Sequence, residues 1–241
     1  LVNTRYGDIF DVMLLNPPSG TLPLKTLSAY KIAIVLGNQH FSTGSAKVLN
    51  DYVAGGGTLL LNIEQAGNFF SQDFMGAKII KKTDTPAEIK LTTAVPLITR
   101  NGKVLVSKNN YGDGYLILSS PAYLLDESGT KAHPVVAEIL SHISKEVLPL
   151  TVEGDIGYQL NIINSDTWLL TLMNNKGVIK DCFSPEEFDE SRTAFVNVKF
   201  RKKPRKIFEL KEDLKPVINE NPDTMTAKVP PGDIKIYRIE F

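Results

Sequence analysis

Cysteine is nearly absent from this chain: Cys182 stands alone in 241 residues. A disulfide within the chain and a cysteine-built zinc site are therefore both excluded. Histidine is scarce as well, and His40, His133 and His142 fall at no close metal-ligand spacing. Neither a metal nor any other cofactor is expected. Excess charge of either sign is also missing, with 27 Lys+Arg against 27 Asp+Glu. Nucleic acids and anionic membranes are held by clustered positive charge, so neither is expected as a partner. No apolar run approaches the ~20 residues of a membrane-spanning helix. The chain opens at Leu1 without a signal peptide, so its compartment is not legible. Its first stretch, "LVNTRYGDIFDVMLL", begins almost inside a strand, as a piece of a longer protein would.

What is present is ordinary globular material. Hydrophobic residues make up 42% and charged residues 22%, and the length suits one large domain or two small ones. Up to about residue 148, apolar strands alternate with helical segments. "DIFDVMLL" (8–15), "YKIAIVLG" (30–37), "TLLLN" (58–62) and "YGDGYLILSS" (111–120) are strand-like, and their unbroken apolar character suits strands covered on both faces. "STGSAKVLNDYVA" (42–54) reads as a helix, with Ser42, Thr43 and Ser45 as N-cap candidates and Val48, Leu49, Tyr52 and Val53 as its apolar stripe. A helix through 64–75 and a short strand at 77–80 follow. Residues 88–108 read as extended, with "NGK" (101–103) as a hairpin turn. "HPVVAEILSHISKEVL" (133–148) reads as a helix with Pro134 near its first position. Alternation of this kind predicts an open, mainly parallel α/β sheet over residues 1–148.

Around Pro149 the pattern changes. Short strands are expected at 156–177 (two, with a turn near Asn164–Asp166), 192–200, 205–211, 224–229 and 233–241. In "RTAFVNVKF", Ala194, Val196, Val198 and Phe200 share one face. Residues 149–241 are thus expected to form a small antiparallel β-sandwich.

The glycines of "DYVAGGGTLLLN" (51–62) test a nucleotide-binding reading. A phosphate cradle follows a strand and opens a helix. Gly55, Gly56 and Gly57 instead leave a helix and enter a strand, which suits helix termination in the left-handed conformation. Ligands of open α/β sheets sit at the carboxyl ends of the strands, here "GNQHFSTG" (37–44), "NIEQAGN" (62–68) and "SSPAYLLDES" (119–128). Those loops offer His40 and Glu64 as the candidate acid/base couple. A solvated histidine and a first-turn glutamate favoured by the helix dipole are the preferred reading of the same two residues. Ser119 and Ser120 precede Pro121 outside any G-x-S-x-G frame. Cys182 lies among acidic neighbours, which disfavour a reactive thiolate. "FRKKPRKIF" (200–208) reads as a solvated hairpin tip facing the acidic "PEEFDE" (185–190). Trp168, Tyr158 and Tyr237 offer a sugar-stacking platform or, as strand aromatics more commonly do, a core.

"LSAYKIAIVLG…LNDYVAGGGTLLLN" and "YGDGYLIL" resemble the class I glutamine-amidotransferase-like flavodoxin fold, in the degenerate form found in the trimerisation domain of β-galactosidases. "GYQLNIINSDTWLLTLMNNKG" and "VPPGDIKIYRI" are similar to the C-terminal β-sandwich of multidomain glycoside hydrolases. The resemblance implies a non-catalytic accessory region of a carbohydrate-active enzyme. Its role would be packing, oligomerisation or shaping of the substrate cleft. Its partners would be an upstream catalytic domain or subunit, a carbohydrate, or further copies of itself. The nucleophilic cysteine of true amidotransferases has no counterpart here. The alternatives are a stand-alone hydrolase using His40 and Glu64, and a carbohydrate-binding module.

Overall fold

The computed structural model of the chain describes residues 11–15, 20–35, 41–66, 69–81, 86–121, 134–181, 183, 185–211, 215–217 and 221–241. Strands predominate over helices. Two compact units are present: Met13–Ser141, and His142–Phe241 grouped with Asp11 and Val12.

In chain order the first unit comprises α1 (Leu24–Leu27), β1 (Ile32–Ile34), α2 (Thr43–Ala54), β2 (Thr58–Asn62), α3 (Ile63–Ala66), α4 (Gln72–Met75), β3 (Ala77–Lys81), β4 (Glu88–Leu91), β5 (Val95–Arg100), β6 (Lys103–Tyr111) and β7 (Gly114–Ser119). Helix α5 (Val135–Val147) spans the division between the units. Five strands form one sheet in the order β1-β2-β7-β6-β5. The pairings β1–β2 and β2–β7 are parallel, whereas β7–β6 and β6–β5 are antiparallel. The sheet is therefore mixed, not mainly parallel. The reason is local: two tight turns join neighbouring strands, and a two-residue connection permits only antiparallel pairing. Asn101 and Gly102, with φ of 50° and 73°, make one of these turns, as expected of Asn-Gly. Gly112 and Asp113 make the other.

Two expected elements differ. Residues 11–15 form no strand, while 8–10 lie outside the described residues. The helix expected over 64–75 is two single turns, α3 and α4. Ser71 interrupts it by capping α4 through a bond from the Phe74 N–H. Beneath them runs an aromatic file in which Phe41 meets Phe70, Phe70 stacks on Phe74 at 5.0 Å, and Phe74 meets Tyr111 edge-on at 4.9 Å.

All five residues of β2 are buried, as a central parallel strand requires. Helix α2 starts at Ser42, whose hydroxyl accepts the Ser45 N–H at 3.0 Å. Leu49, Tyr52 and Val53 of its apolar stripe are buried in the core. Its last four carbonyls, which no helical N–H can reach, are all satisfied. Gly55 N–H donates to Asp51 O, Gly56 N–H to Val53 O, Gly57 N–H to Tyr52 O and Asp113 N–H to Ala54 O. The Gly56 and Gly57 bonds are those of a Schellman cap, with Gly56 at φ 102°. Gly57 is needed for a different reason: a Cβ there would lie 2.3 to 2.5 Å from three atoms of the Tyr52 ring. The Tyr52 hydroxyl in turn donates to Tyr30 O at 3.0 Å.

The second unit comprises β8 (Leu150–Glu153), β9 (Gly157–Asn164), β10 (Thr167–Met173), β11 (Val178–Ile179), β12 (Glu187–Phe188), β13 (Ala194–Phe200), β14 (Lys206–Glu209), β15 (Lys215–Pro216), β16 (Thr224–Val229) and β17 (Ile234–Glu240). Two antiparallel sheets, β15-β14-β17-β10-β9 and β16-β13-β8, contribute to one core. From the first come Tyr158, Leu170, Leu172, Ile207, Tyr237 and Ile239; from the second come Leu150, Val152, Val196, Val198, Met225 and Val229. Ala194, Val196, Val198 and Phe200 do share the buried face of β13. Asn174, 1% exposed, staples the two sheets at one end. Its amide donates to Val229 O and Arg192 O, and its backbone N–H to Asp233 O.

The three glycines have separable costs. Gly55→Ala should stay within ~0.5 kcal/mol, Gly56→Ala should cost about 1 kcal/mol for its positive φ, and Gly57→Ala about 2 kcal/mol or more. Urea unfolding measures all three, and an equal cost at each position would contradict the Tyr52 contact. Burial also holds the Tyr52 hydroxyl well above the ordinary tyrosine value of 10.0. Folded Tyr52 keeps its proton where unfolded Tyr52 loses it, so stability is complete below pH ~10 and falls as pH rises beyond it. Tyr52→Phe should flatten that decline.

Candidate functional site

The carboxyl ends of β1, β2 and β7 are where an α/β sheet of this kind would hold a ligand. Their polar side chains bond to the protein itself. Asn62, last in β2, accepts the Glu64 and Gln65 N–H groups on Oδ1 at 2.9 and 3.2 Å. Gln65 returns the bond, its Oε1 accepting the Asn62 N–H at 3.1 Å. This is a reciprocal capping box at the start of α3, with Asn in the place of Ser or Thr. The Gln65 amide then crosses to Val35 O at 3.1 Å and ties the end of β1 to α3. Both side chains are buried, at 6% exposure each.

The serines are engaged in the same way. Ser119 Oγ donates to Pro121 O at 2.8 Å, and Ser120 Oγ contacts Val104 O at 3.0 Å and Leu105 O at 3.1 Å. A hydroxyl whose proton rests on a main-chain carbonyl has no base to receive it, so neither serine is set up as a nucleophile.

Of the candidate couple, Glu64 sits exposed in the first turn of α3. His40 lies outside the described residues, as do His133 and Cys182. His142 is exposed on α5. Among the described residues no group of three or more His, Cys, Asp and Glu gathers as a metal site would require. No described helix is long and apolar enough to cross a membrane. The glycine run offers no anion cradle, because the N–H groups of Gly55, Gly56 and Gly57 all point back at α2 carbonyls.

In the β unit, Tyr158 and Tyr237 are 4% and 3% exposed and Trp168 packs against the same core. These aromatics form no platform. The "FRKKPRKIF" segment is not a hairpin tip either, since β13 and β14 belong to different sheets and the segment crosses between them. Lys202 faces Asp166 at 3.7 Å. The acidic run pairs elsewhere, Glu186 with Lys180 and Asp189 with Arg192.

Sequence reasoning missed the buried amides Asn62, Gln65, Asn109 and Asn174. Only the first pair left a signal, the N-x-x-Q spacing at a strand end. Asn109 Nδ2 caps α4 by donating to Asp73 O and Phe74 O, and its Oδ1 accepts the Thr93 hydroxyl.

Asn62→Ala should cost about 1–3 kcal/mol by stranding two N–H groups of α3. Glu64→Gln should change stability by less than ~0.5 kcal/mol. Thermal melts of both variants check the pair, and the reverse order would show that the strand end is built around Glu64.

No protein-family model matches the sequence, and no curated protein matches it. Solved structures share the fold. Gan42B, a GH42 beta-galactosidase, superposes with a TM-score of 0.51 at 13% identity over 89% of this chain and 32% of its own. Its catalytic mutant, from G. stearothermophilus, gives a TM-score of 0.50 at 13% identity over the same shares. A beta-galactosidase from Bacillus circulans sp. alkalophilus gives 0.43 at 14% identity, over 87% of this chain and 32% of its own. The chain spans about a third of the length of these proteins.

Proposed function

We propose that this chain is a non-catalytic accessory region of a larger carbohydrate-active enzyme of glycoside hydrolase type. It would serve packing, oligomerisation or the shaping of a substrate cleft. Its α/β part, 1–148, is then a degenerate glutamine-amidotransferase-like domain whose β1-β2-β7 core is flavodoxin-like and whose β5-β6 hairpin is an antiparallel extension. Residues 149–241 are the β-sandwich that follows it. The carrying observation is the fold likeness that covers 89% of this chain but only 32% of Gan42B. The strand ends add support, because Asn62, Gln65, Ser119 and Ser120 are engaged in holding loops together. The partner in this reading is a catalytic domain or subunit of the same enzyme, with self-association as a further possibility.

Hydrolysis requires a nucleophile or activated water beside a tuned base, with donors aimed at the developing charge. The purified 241-residue chain is accordingly expected to show no turnover on a panel of nitrophenyl glycosides, oligosaccharides and glutamine. Turnover that disappears in His40→Ala or Glu64→Gln while the fold persists would replace this reading with that of a stand-alone hydrolase.

A further inference from the structure

The outer face of the sheet β16-β13-β8 holds a shallow depression of about 470 Å³, within the range of small-ligand sites. Phe195 lies in its wall and is 75% exposed. The burial of Ala194, Val196, Val198 and Phe200 turns Phe195 outward together with Asn197 and Lys199. Cross-strand neighbours on that face are Lys228 opposite Phe195, with Thr226 and Glu153 flanking Asn197. Gly154, which also lines the hollow, lets the chain run close against the β13 backbone, since a Cβ there would lie 2.7 Å from Phe195 O.

Glu153 organises part of the polar edge. Glu153 accepts Lys199 Nζ at 2.8 Å and Asn197 Nδ2 at 3.4 Å, which orients the Asn197 amide. Among the described residues, Asn197 Oδ1, the Thr226 hydroxyl and Lys228 Nζ have no partner. Residues bearing an aromatic plate, an acceptor, a hydroxyl and an ammonium thus line one hollow. The core of a buried protein interface is depleted of charged residues, whereas Glu153 and Lys228 both line this hollow. Here one exposed aromatic side chain supplies an apolar floor, and Glu153, Asn197, Thr226 and Lys228 line its edge. That combination matches a pyranose ring, whose C–H face stacks on an aromatic ring while its hydroxyls exchange hydrogen bonds at the edge.

We infer that this face binds a pyranose oligosaccharide, with Phe195 as the stacking residue and Asn197, Thr226 and Lys228 as its hydrogen-bonding rim. The inference draws on the reading above only for the polysaccharide setting; the site itself rests on the composition of the hollow.

Calorimetric titration of the 241-residue chain tests it with two probes, a neutral β-1,4-galactohexaose and an oligogalacturonate. Binding of one or both is expected in the ~0.1–1 mM range. Phe195→Ala should weaken it about tenfold or more, and Asn197→Ala about three- to tenfold. Phe195→Trp should keep or tighten it and add a fluorescence change at the site, so a poorly folding alanine variant does not decide the matter. Phe188→Ala, which removes a different exposed ring, should leave affinity unchanged. If the natural ligand is acidic, Lys228→Glu abolishes the galacturonate signal; if it is neutral, the galactohexaose signal survives that change. Absence of binding by both probes up to about 10 mM, or binding indifferent to Phe195→Ala, overturns the inference. So does a self-association that Phe195→Ala dissolves without any sugar effect, which would assign the face to a protein partner. None of these failures touches the accessory-region proposal, and catalytic turnover by the chain would sink that proposal while leaving the sugar site standing.

Discussion

Backbone meets backbone where helix α2 ends, and the α/β unit is arranged around that approach. A side chain on Gly114 would collide with the carbonyl oxygens of Gly57 and Val53, and one on Gly112 would lie 2.6 Å from Ala54 Cα. The β6–β7 turn can therefore seat itself on the exit of α2, where Asp113 N–H takes the Ala54 carbonyl and Tyr115 N–H the Gly57 carbonyl. Two glycine-containing segments nearly sixty residues apart thereby close one helix terminus and set β7 beside β2 in register. Tyr52 completes the joint by lying across Gly57 and reaching the Tyr30 carbonyl at the entry to β1.

This joint explains what the glycine run is for and why it was readable in only one respect. Direction along the chain, helix first and strand second, already excluded a phosphate cradle and required a helix terminator. The division of labour among the three residues was not legible. Gly56 supplies the positive φ, whereas Gly57 supplies space for a ring five residues earlier in the chain. Local conformational preference can be read from a triplet, but a packing contact depends on where a helical turn delivers its side chain.

The same distinction runs through the rest of the fold. Alternation along β13 and the Asn101–Gly102 turn were legible because period and turn chemistry are local properties. The sheet's mixed character was implicit in those turns, yet alternating strands and helices pointed to parallel pairing throughout. Hairpin connections outweigh that alternation because a two-residue link leaves neighbouring strands no parallel option. The single helix expected at 64–75 failed for a comparable reason: Ser71 offers its hydroxyl to Phe74 N–H, and a fresh cap starts a new turn.

At the candidate sites, the residue types that attract chemical attention and those that do structural duty are the same. Asn, Gln and Ser at strand ends bind substrates when their hydrogen-bonding capacity is free. Here Asn62, Gln65, Ser119 and Ser120 direct theirs to main-chain groups within the fold. Free capacity lies in the β unit instead, and strand parity shows why. Tyr158 and Tyr237 fall on inward positions and become core, while Phe195, one residue out of phase with the buried run of β13, is forced to solvent. The alternation that identifies Ala194, Val196, Val198 and Phe200 as core identifies Phe195 as exposed by the same count. An aromatic residue can satisfy the conformational preference of a strand on either face, but only the inward one also gains burial. An outward phenylalanine beside a hollow thus forgoes burial energy that a ligand's apolar face can restore.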